Sequence, residues 1–229
     1  MDLTKELKNL LLRHGAEVVG IGNLKEIEEC NYDIGIAVAV PLHRNIVRDL
    51  LDAPTKEYYD MYYTLNQRLN EIVLLGEEFL KERGFTAYAQ TTDRVEISSD
   101  RRTKLPHKTV ATRAGLGWIG KNGLLVTEEF GPAIRISSLL TNAPLECDSP
   151  VNASLCGECS LCIDNCPARA LYGTLWEVGK PRESIVNVEK CYNKQMEIMY
   201  KATGIETDLC GKCFAICRYT RRYLGQNRR

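Results

Sequence analysis

Leu3, Leu7, Leu10 and Leu11 recur at the spacing of one helical face, and Gly15 stands where such a helix would close. Val18-Val19-Gly20-Ile21 and the run from Ile34 to Val40 are short and apolar, which predicts buried strands. A longer helix is predicted from Thr55 to Arg83: Tyr58, Met61, Leu65, Leu69, Ile72 and Phe79 share a face, and Gly84 ends it. Phe85 to Thr91 predicts another strand, and His107 to Ala114 a short helix that leads into Gly115-Leu116-Gly117-Trp118-Ile119-Gly120-Lys121-Asn122-Gly123. Leu124 to Thr127 and Ala133 to Thr141 then predict two strands paired across Glu128-Glu129-Phe130-Gly131-Pro132. Helices mixed with a small sheet predict an α+β domain over residues 1–150. A boundary near Asp148-Ser149-Pro150 separates it from a second domain, residues 151–229.

Composition narrows the setting. The chain has 229 residues, of which 44% are hydrophobic, so it can bury a core without external staples. Thirty basic residues balance thirty acidic ones, so no global field draws it to nucleic acid or to an anionic membrane. The opening Met1-Asp2-Leu3-Thr4-Lys5-Glu6 lacks a basic leader, and no apolar run approaches the ~20 residues of a membrane span. The expectation is a cytoplasmic protein. Ten cysteines in a reducing compartment point to metal or redox chemistry rather than disulfides.

Cysteine spacing says which. Only Cys30 and Cys147 precede residue 150, and both are expected to be buried inert thiols. Cys156-x2-Cys159-x2-Cys162-x3-Cys166-Pro167 is the bacterial ferredoxin run, in which one loop offers three thiolates to a 4Fe–4S cluster while the fourth cysteine, opening the next helix, serves another. Cys191, Cys210, Cys213 and Cys217 complete a ferredoxin-like module with two clusters. One would take Cys156, Cys159, Cys162 and Cys217, the other Cys166, Cys191, Cys210 and Cys213. Two structural zinc sites are the rival reading, disfavoured by the x2-x2-x3 run. The second half departs from the pattern: Arg218, not proline, follows Cys217, and Cys191 stands far from its partners.

The segment Ala114-Gly115-Leu116-Gly117-Trp118-Ile119-Gly120-Lys121-Asn122, followed by the cysteine run, resembles the cobalamin-dependent epoxyqueuosine reductases and their relatives the reductive dehalogenases. Gly123 to Pro132 and Leu140-Thr141-Asn142-Ala143-Pro144-Leu145 resemble the dehalogenase branch more closely. The resemblance implies a nitroreductase-like first domain that binds a corrinoid, with Gly115, Gly117, Trp118, Gly120, Lys121 and Asn122 at its cavity. The residues themselves also allow a plainer role, a tight turn between helix and sheet. The epoxyqueuosine reductases carry an Asp-x-Gly-Pro stretch whose aspartate is the proposed proton donor; here Asp100 matches its position only roughly, and His107 and Lys108 are the other candidates. His14 and His43 read as surface or packing residues. The tail from Arg218 to Arg229 has five arginines and no acid, and is expected to be a solvated terminus.

Three functions follow. The first is a corrinoid-dependent reductase whose clusters, fed by a low-potential ferredoxin- or flavodoxin-type donor, deliver electrons to cobalt for reduction of a small organic substrate. The second is an electron carrier that reduces a partner redox protein. The third, a transfer-RNA epoxyqueuosine reductase, is disfavoured by the neutral charge and the early end of the chain.

Overall fold

The computed structural model describes residues 2–28 and 30–226. Their contacts form two compact units, each discontinuous in sequence: residues 1–40, 64–117 and 135–151 in the first, and 41–63, 118–134 and 152–229 in the second. A single cut near residue 150 therefore does not describe the grouping, because two earlier segments pack with the cysteine-rich one.

The first unit is built on a four-stranded sheet in the order β1 (Val18–Asn23), β2 (Ile34–Pro41), β6 (Ile134–Thr141), β3 (Ala87–Ala89). β1 runs antiparallel to β2 with Ile21 opposite Ile36, and β3 antiparallel to β6 with Ala89 opposite Leu139. β2 is buried from Ile34 through Val40, which is why its sequence is continuously apolar rather than alternating. Helix α1 (Leu3–Arg13) packs on β1, buries Leu7 and Leu11, and is capped by Asp2, whose side chain accepts from Thr4 N at 3.0 Å. Helix α4 (His107–Arg113) also lies on β1. The contact is close enough to require glycine: a Cβ on Gly20 would stand 2.2 Å from the Ala114 carbonyl oxygen.

In the second unit, β4 (Trp118–Ile119) pairs antiparallel with β5 (Leu125–Val126). It also contains α2 (Arg44–Asp49), α5 (Leu161–Asp164), α6 (Val188–Thr203), α7 (Lys212–Ala215) and α8 (Arg218–Tyr223). Helix α3 (Lys56–Lys81) is shared between the units in sequence, its first residues to Tyr63 in the second and the rest in the first.

Three expectations are corrected. Leu124 to Thr127 does not form a hairpin with Ala133 to Thr141. Gly123 N donates to Gly120 O at 2.8 Å, reversing the chain so tightly that Leu125 meets Ile119 first; only the Thr127–Gly131 bridge spans the expected turn. No helix opens at Cys166, because α5 ends before it. The tail is not wholly solvated: Thr220 and Leu224 are buried, and the Tyr223 hydroxyl donates to the Leu42 carbonyl at 2.9 Å. The tail's remaining residues 227–229, with two of its five arginines, lie outside the described residues. Among the described residues no helix is long and apolar enough to cross a membrane.

Glu77, on α3, is the first unit's buried carboxylate, its side chain only 6% exposed. It accepts from Arg94 Nη1 at 2.7 Å and Ala89 N at 3.3 Å, and pairs with Lys81. Burial pushes its carboxyl up, and the bonds from Lys81, Arg94 and Ala89 outweigh that and hold it below the ordinary carboxylate range. Glu77→Ala strands the Ala89 amide and both cations. Because Lys81 and Arg94 can turn to water, the expected loss is about 2–3 kcal/mol, read as a lower urea midpoint at unchanged slope.

Candidate functional site

Each cysteine run wraps a four-residue helix. Cys159 precedes α5, Cys162 lies within it and Cys166 follows; Cys210, Cys213 and Cys217 stand in the same relation to α7, and α5 packs on α7. Cys191 comes from the first turn of α6, whose Asn187 cap accepts from Lys190 N at 2.9 Å and whose end is closed by left-handed Gly204. The long interval between Cys191 and Cys210 is thus mostly this helix, inserted between one ligand and its partners.

Cys156, Cys159, Cys162 and Cys217 line one recess, which encloses about 330 Å³ of non-protein space, part of it open to solvent. All ten cysteines are free thiols and these four are half-buried. Burial, and then the facing Cys217, Cys156 and Cys159, push the Cys162 thiol up to about 12. Burial likewise pushes Cys217 up to about 11, with Cys156 and Cys159 adding to it against backbone N–H groups of Tyr219 and Thr220. The other four form a second mutually repelling set: burial, then Cys166, Cys210 and Asp208, push Cys191 up to about 11. Burial first, then Cys210 and Cys191, holds Cys213 well above the usual range. Such groups are protonated at neutral pH unless a strong electrophile replaces the proton, which is what binding to iron or zinc does. Among the described residues no three His, Cys, Asp or Glu side chains converge on the position of a single metal ion. The sulfurs of the first set line a recess instead, and four thiols there fit a larger, thiophilic group.

The glycine segment divides. Gly115 belongs to the first unit, with φ of 73° and its amide donating to Thr112 O at 3.2 Å, so it makes the turn that ends α4; buried Gly117 follows it. Trp118, Gly120, Lys121 and Asn122 belong to the second unit. Lys121 and Asn122 are both buried and line the cysteine recess, where Lys121 Nζ donates to the Cys159 carbonyl at 3.2 Å. Trp118 is 1% exposed, packs edge-on against Tyr219 with ring centroids 4.9 Å apart, and its Nε1–H has no acceptor among the described residues. Arg218 and Tyr219 also line the recess and were not singled out as site residues, although Arg218 in place of the expected proline was the signal.

The proton-donor candidates all lie in the first unit. Asp100 sits in a turn with its side chain 56% exposed, paired with Arg102 Nε at 2.7 Å and with Ser98, the arrangement of a surface loop. Lys108 is half-buried in the first turn of α4. His107 is built into a network: Gln90 Nε2 donates to the Leu105 carbonyl at 3.1 Å, the Ser138 hydroxyl donates to Gln90 Oε1 at 2.6 Å, and His107 Nδ1 meets Ser138 Oγ at 2.8 Å. With the Ser138 proton committed to Gln90, its oxygen accepts from His107 Nδ1–H, leaving Nε2 with the lone pair. Burial, then the charge of Arg135, lowers the imidazole to about 4, so at neutral pH it is a hydrogen-bond acceptor and not a cationic acid.

Cys30 is half-buried, its Sγ donating to the Tyr32 carbonyl at 3.2 Å, whereas Cys147 is exposed, contrary to the expectation of a buried thiol. His14 and His43 are exposed.

Comparison with known proteins places these features. No protein-family model matches the chain. An epoxyqueuosine reductase of Lactococcus garvieae is 31% identical over 170 residues, 71% of this chain and 42% of the relative. That of Listeria monocytogenes is 35% identical over 121 residues, 52% of this chain and 30% of the relative. The chain thus spans less than half the length of these curated relatives. Among solved structures, a catabolic reductive dehalogenase superposes with a TM-score of 0.71 at 19% identity, covering 94% of this chain and 31% of that one. The epoxyqueuosine reductase of Streptococcus thermophilus superposes at 0.64 and 21% identity, covering 96% of this chain and 67% of that one. These structural likenesses establish a shared mixed α/β fold.

His107 makes the first unit acid-sensitive. Its folded value of about 4 lies below the ~6.5 of an unfolded histidine, so the unfolded chain takes up the proton first as the pH falls. The stabilisation is complete above ~6.5 and is lost between that and about 4, amounting to roughly 2–3 kcal/mol by pH 4.5. Urea unfolding at pH 7 and pH 4.5 should show this loss in the native protein and a smaller one in His107→Gln.

Proposed function

From its kinship with the epoxyqueuosine reductases, and the fold it shares with them and with the reductive dehalogenases, we propose that this chain is an iron–sulfur oxidoreductase of that family. It would carry two 4Fe–4S clusters that deliver electrons singly to a reductive reaction. The observation that carries the reading is the convergence of Cys156, Cys159, Cys162 and Cys217 on one recess, with four further cysteines in a second set beside α5 and α7. Ligands drawn from both runs to one recess are the crossed arrangement of a two-cluster ferredoxin.

The finer part of the proposal is a corrinoid. The unsatisfied Trp118 Nε1–H, nearly inaccessible to water, fits a bound group that supplies an acceptor. When bound, a corrinoid supplies a cobalt ion able to accept electrons one at a time. The protein's own contribution on the proton side is His107: its proton sits on Nδ1, held by Ser138, and Nε2 is available to accept one. Asp100, exposed and paired with Arg102, is the weaker donor candidate, and Lys108 the stronger by position on α4.

The curated relatives favour epoxyqueuosine as the oxidised substrate, and one solved relative is bound to an epoxyqueuosine-modified transfer-RNA stem loop. Charge alone, formally zero over the whole chain, favours a small organic substrate instead. Epoxide reduction on RNA is the better-supported substrate reading, because relatives 31% and 35% identical are epoxyqueuosine reductases and charge does not exclude a local contact.

Anaerobic reconstitution should load about eight irons and eight sulfides per chain, and Cys162→Ser should lose about half of that. Cobalamin added to the loaded protein should give a cobalt paramagnetic signal distinct from that of the free cofactor. Turnover is then assayed on an epoxyqueuosine-modified stem loop and, in parallel, on a halogenated phenol. Zinc at full occupancy with no iron would refute the proposal, and turnover of the phenol alone would move the substrate to the dehalogenase side.

A further inference from the structure

Resting on the two-cluster reading above, we propose that the cluster held by Cys156, Cys159, Cys162 and Cys217 is the more easily reduced of the pair, and that Lys121 and Arg218 make it so. The two cations reach the recess from different elements. Lys121 comes from the turn between β4 and β5, is 8% exposed, and is fixed by its 3.2 Å bond to the Cys159 carbonyl. That turn is pressed against the cysteines: a Cβ on Gly120 would lie 3.6 Å from Cys156 Sγ. Arg218 directly follows Cys217, donates to the Leu155 carbonyl at 3.0 Å, and stacks 4.9 Å from the Tyr219 ring centre.

The second set is surrounded differently. Cys191 feels the Asp208 carboxylate, and Cys210 feels one cation, Lys212, whose Nζ is engaged by the Leu51 carbonyl. Hydrogen bonds to sulfur reach both sets and do not favour the first. Cys217 receives the N–H groups of Tyr219 and Thr220, while Cys166 receives Ala170 N at 3.5 Å, Cys191 receives Gln195 Nε2 at 3.4 Å and Cys210 the backbone N–H of Lys212. The charges engaged at each set do separate them among the described residues: Lys121 and Arg218 at the first, Lys212 and Asp208 at the second, while Glu158 beside Cys159 is exposed to solvent. Each electron taken up adds one negative charge to a cluster, and a nearby cation lowers the energy of that state, the buried Lys121 more strongly than the exposed and water-screened Arg218. The first electron from a low-potential donor therefore comes to rest on the cluster beside Lys121.

The test is a redox titration of the reconstituted full chain, with dithionite as reductant and the reduced clusters counted by electron paramagnetic resonance. Iron is assayed beforehand. Native protein should show two steps. In Lys121→Gln and, separately, Arg218→Gln, the higher step should move down toward the lower one, which should stay in place; Lys121→Arg should restore it. Cys191→Ser should remove the lower step and keep the higher. Full iron with the higher step unmoved in both charge variants overturns the inference, as does loss of the higher step in Cys191→Ser. Absence of iron from the native protein overturns the two-cluster reading and this inference with it, and the iron assay tells that failure from the others.

Discussion

A thiol shielded from water does not ionise unaided, and the second unit brings eight of them together. Burial is the first cause of the upward shift at Cys162, Cys191, Cys213 and Cys217, with neighbouring sulfurs adding to it. In this state the sulfurs contribute little more than apolar bulk. Were a metal centre to replace their protons, its binding energy would become folding energy for α5, α7 and the start of α8. Helices of four residues are too short to persist alone and must be held by what they surround.

The same constraint gives meaning to the turn between β4 and β5. Glycines at positions 120 and 123 let the chain reverse within a few residues and approach the sulfurs closely. The family resemblance implies that Lys121 and Asn122 lie at a corrinoid cavity; in the structure both line the cysteine recess. Gly115 ends a helix, the plainer role that its pattern also allowed.

Periodicity made much of the scaffold legible. The leucines at 3, 7, 10 and 11 mark α1, and the stripe from Tyr58 to Phe79 marks α3, because long amphipathic helices repeat their signal many times. The apolar run of β2 was equally plain. Pairing was not: Leu125 and Leu139 look alike as strand residues, and only the tightness of the Gly120–Gly123 reversal decides which neighbour each meets. Helix α6 carries proper end signals in Asn187 and Gly204, but the cysteine spacing alone shows only a long interval there. The cysteines could be grouped from their spacing. The cations around them could not, since Lys121 is remote in sequence and a lone charge carries no pattern.

The second unit draws on residues 41–63, 118–134 and 152–229. During synthesis the earliest of these segments leaves the ribosome while Cys217 has still to be translated, so Leu42 waits for Tyr223 and Leu51 for Lys212. A group bound by these sulfurs would have to await translation of Cys217, and could not be assembled step by step on the segments that emerge earlier.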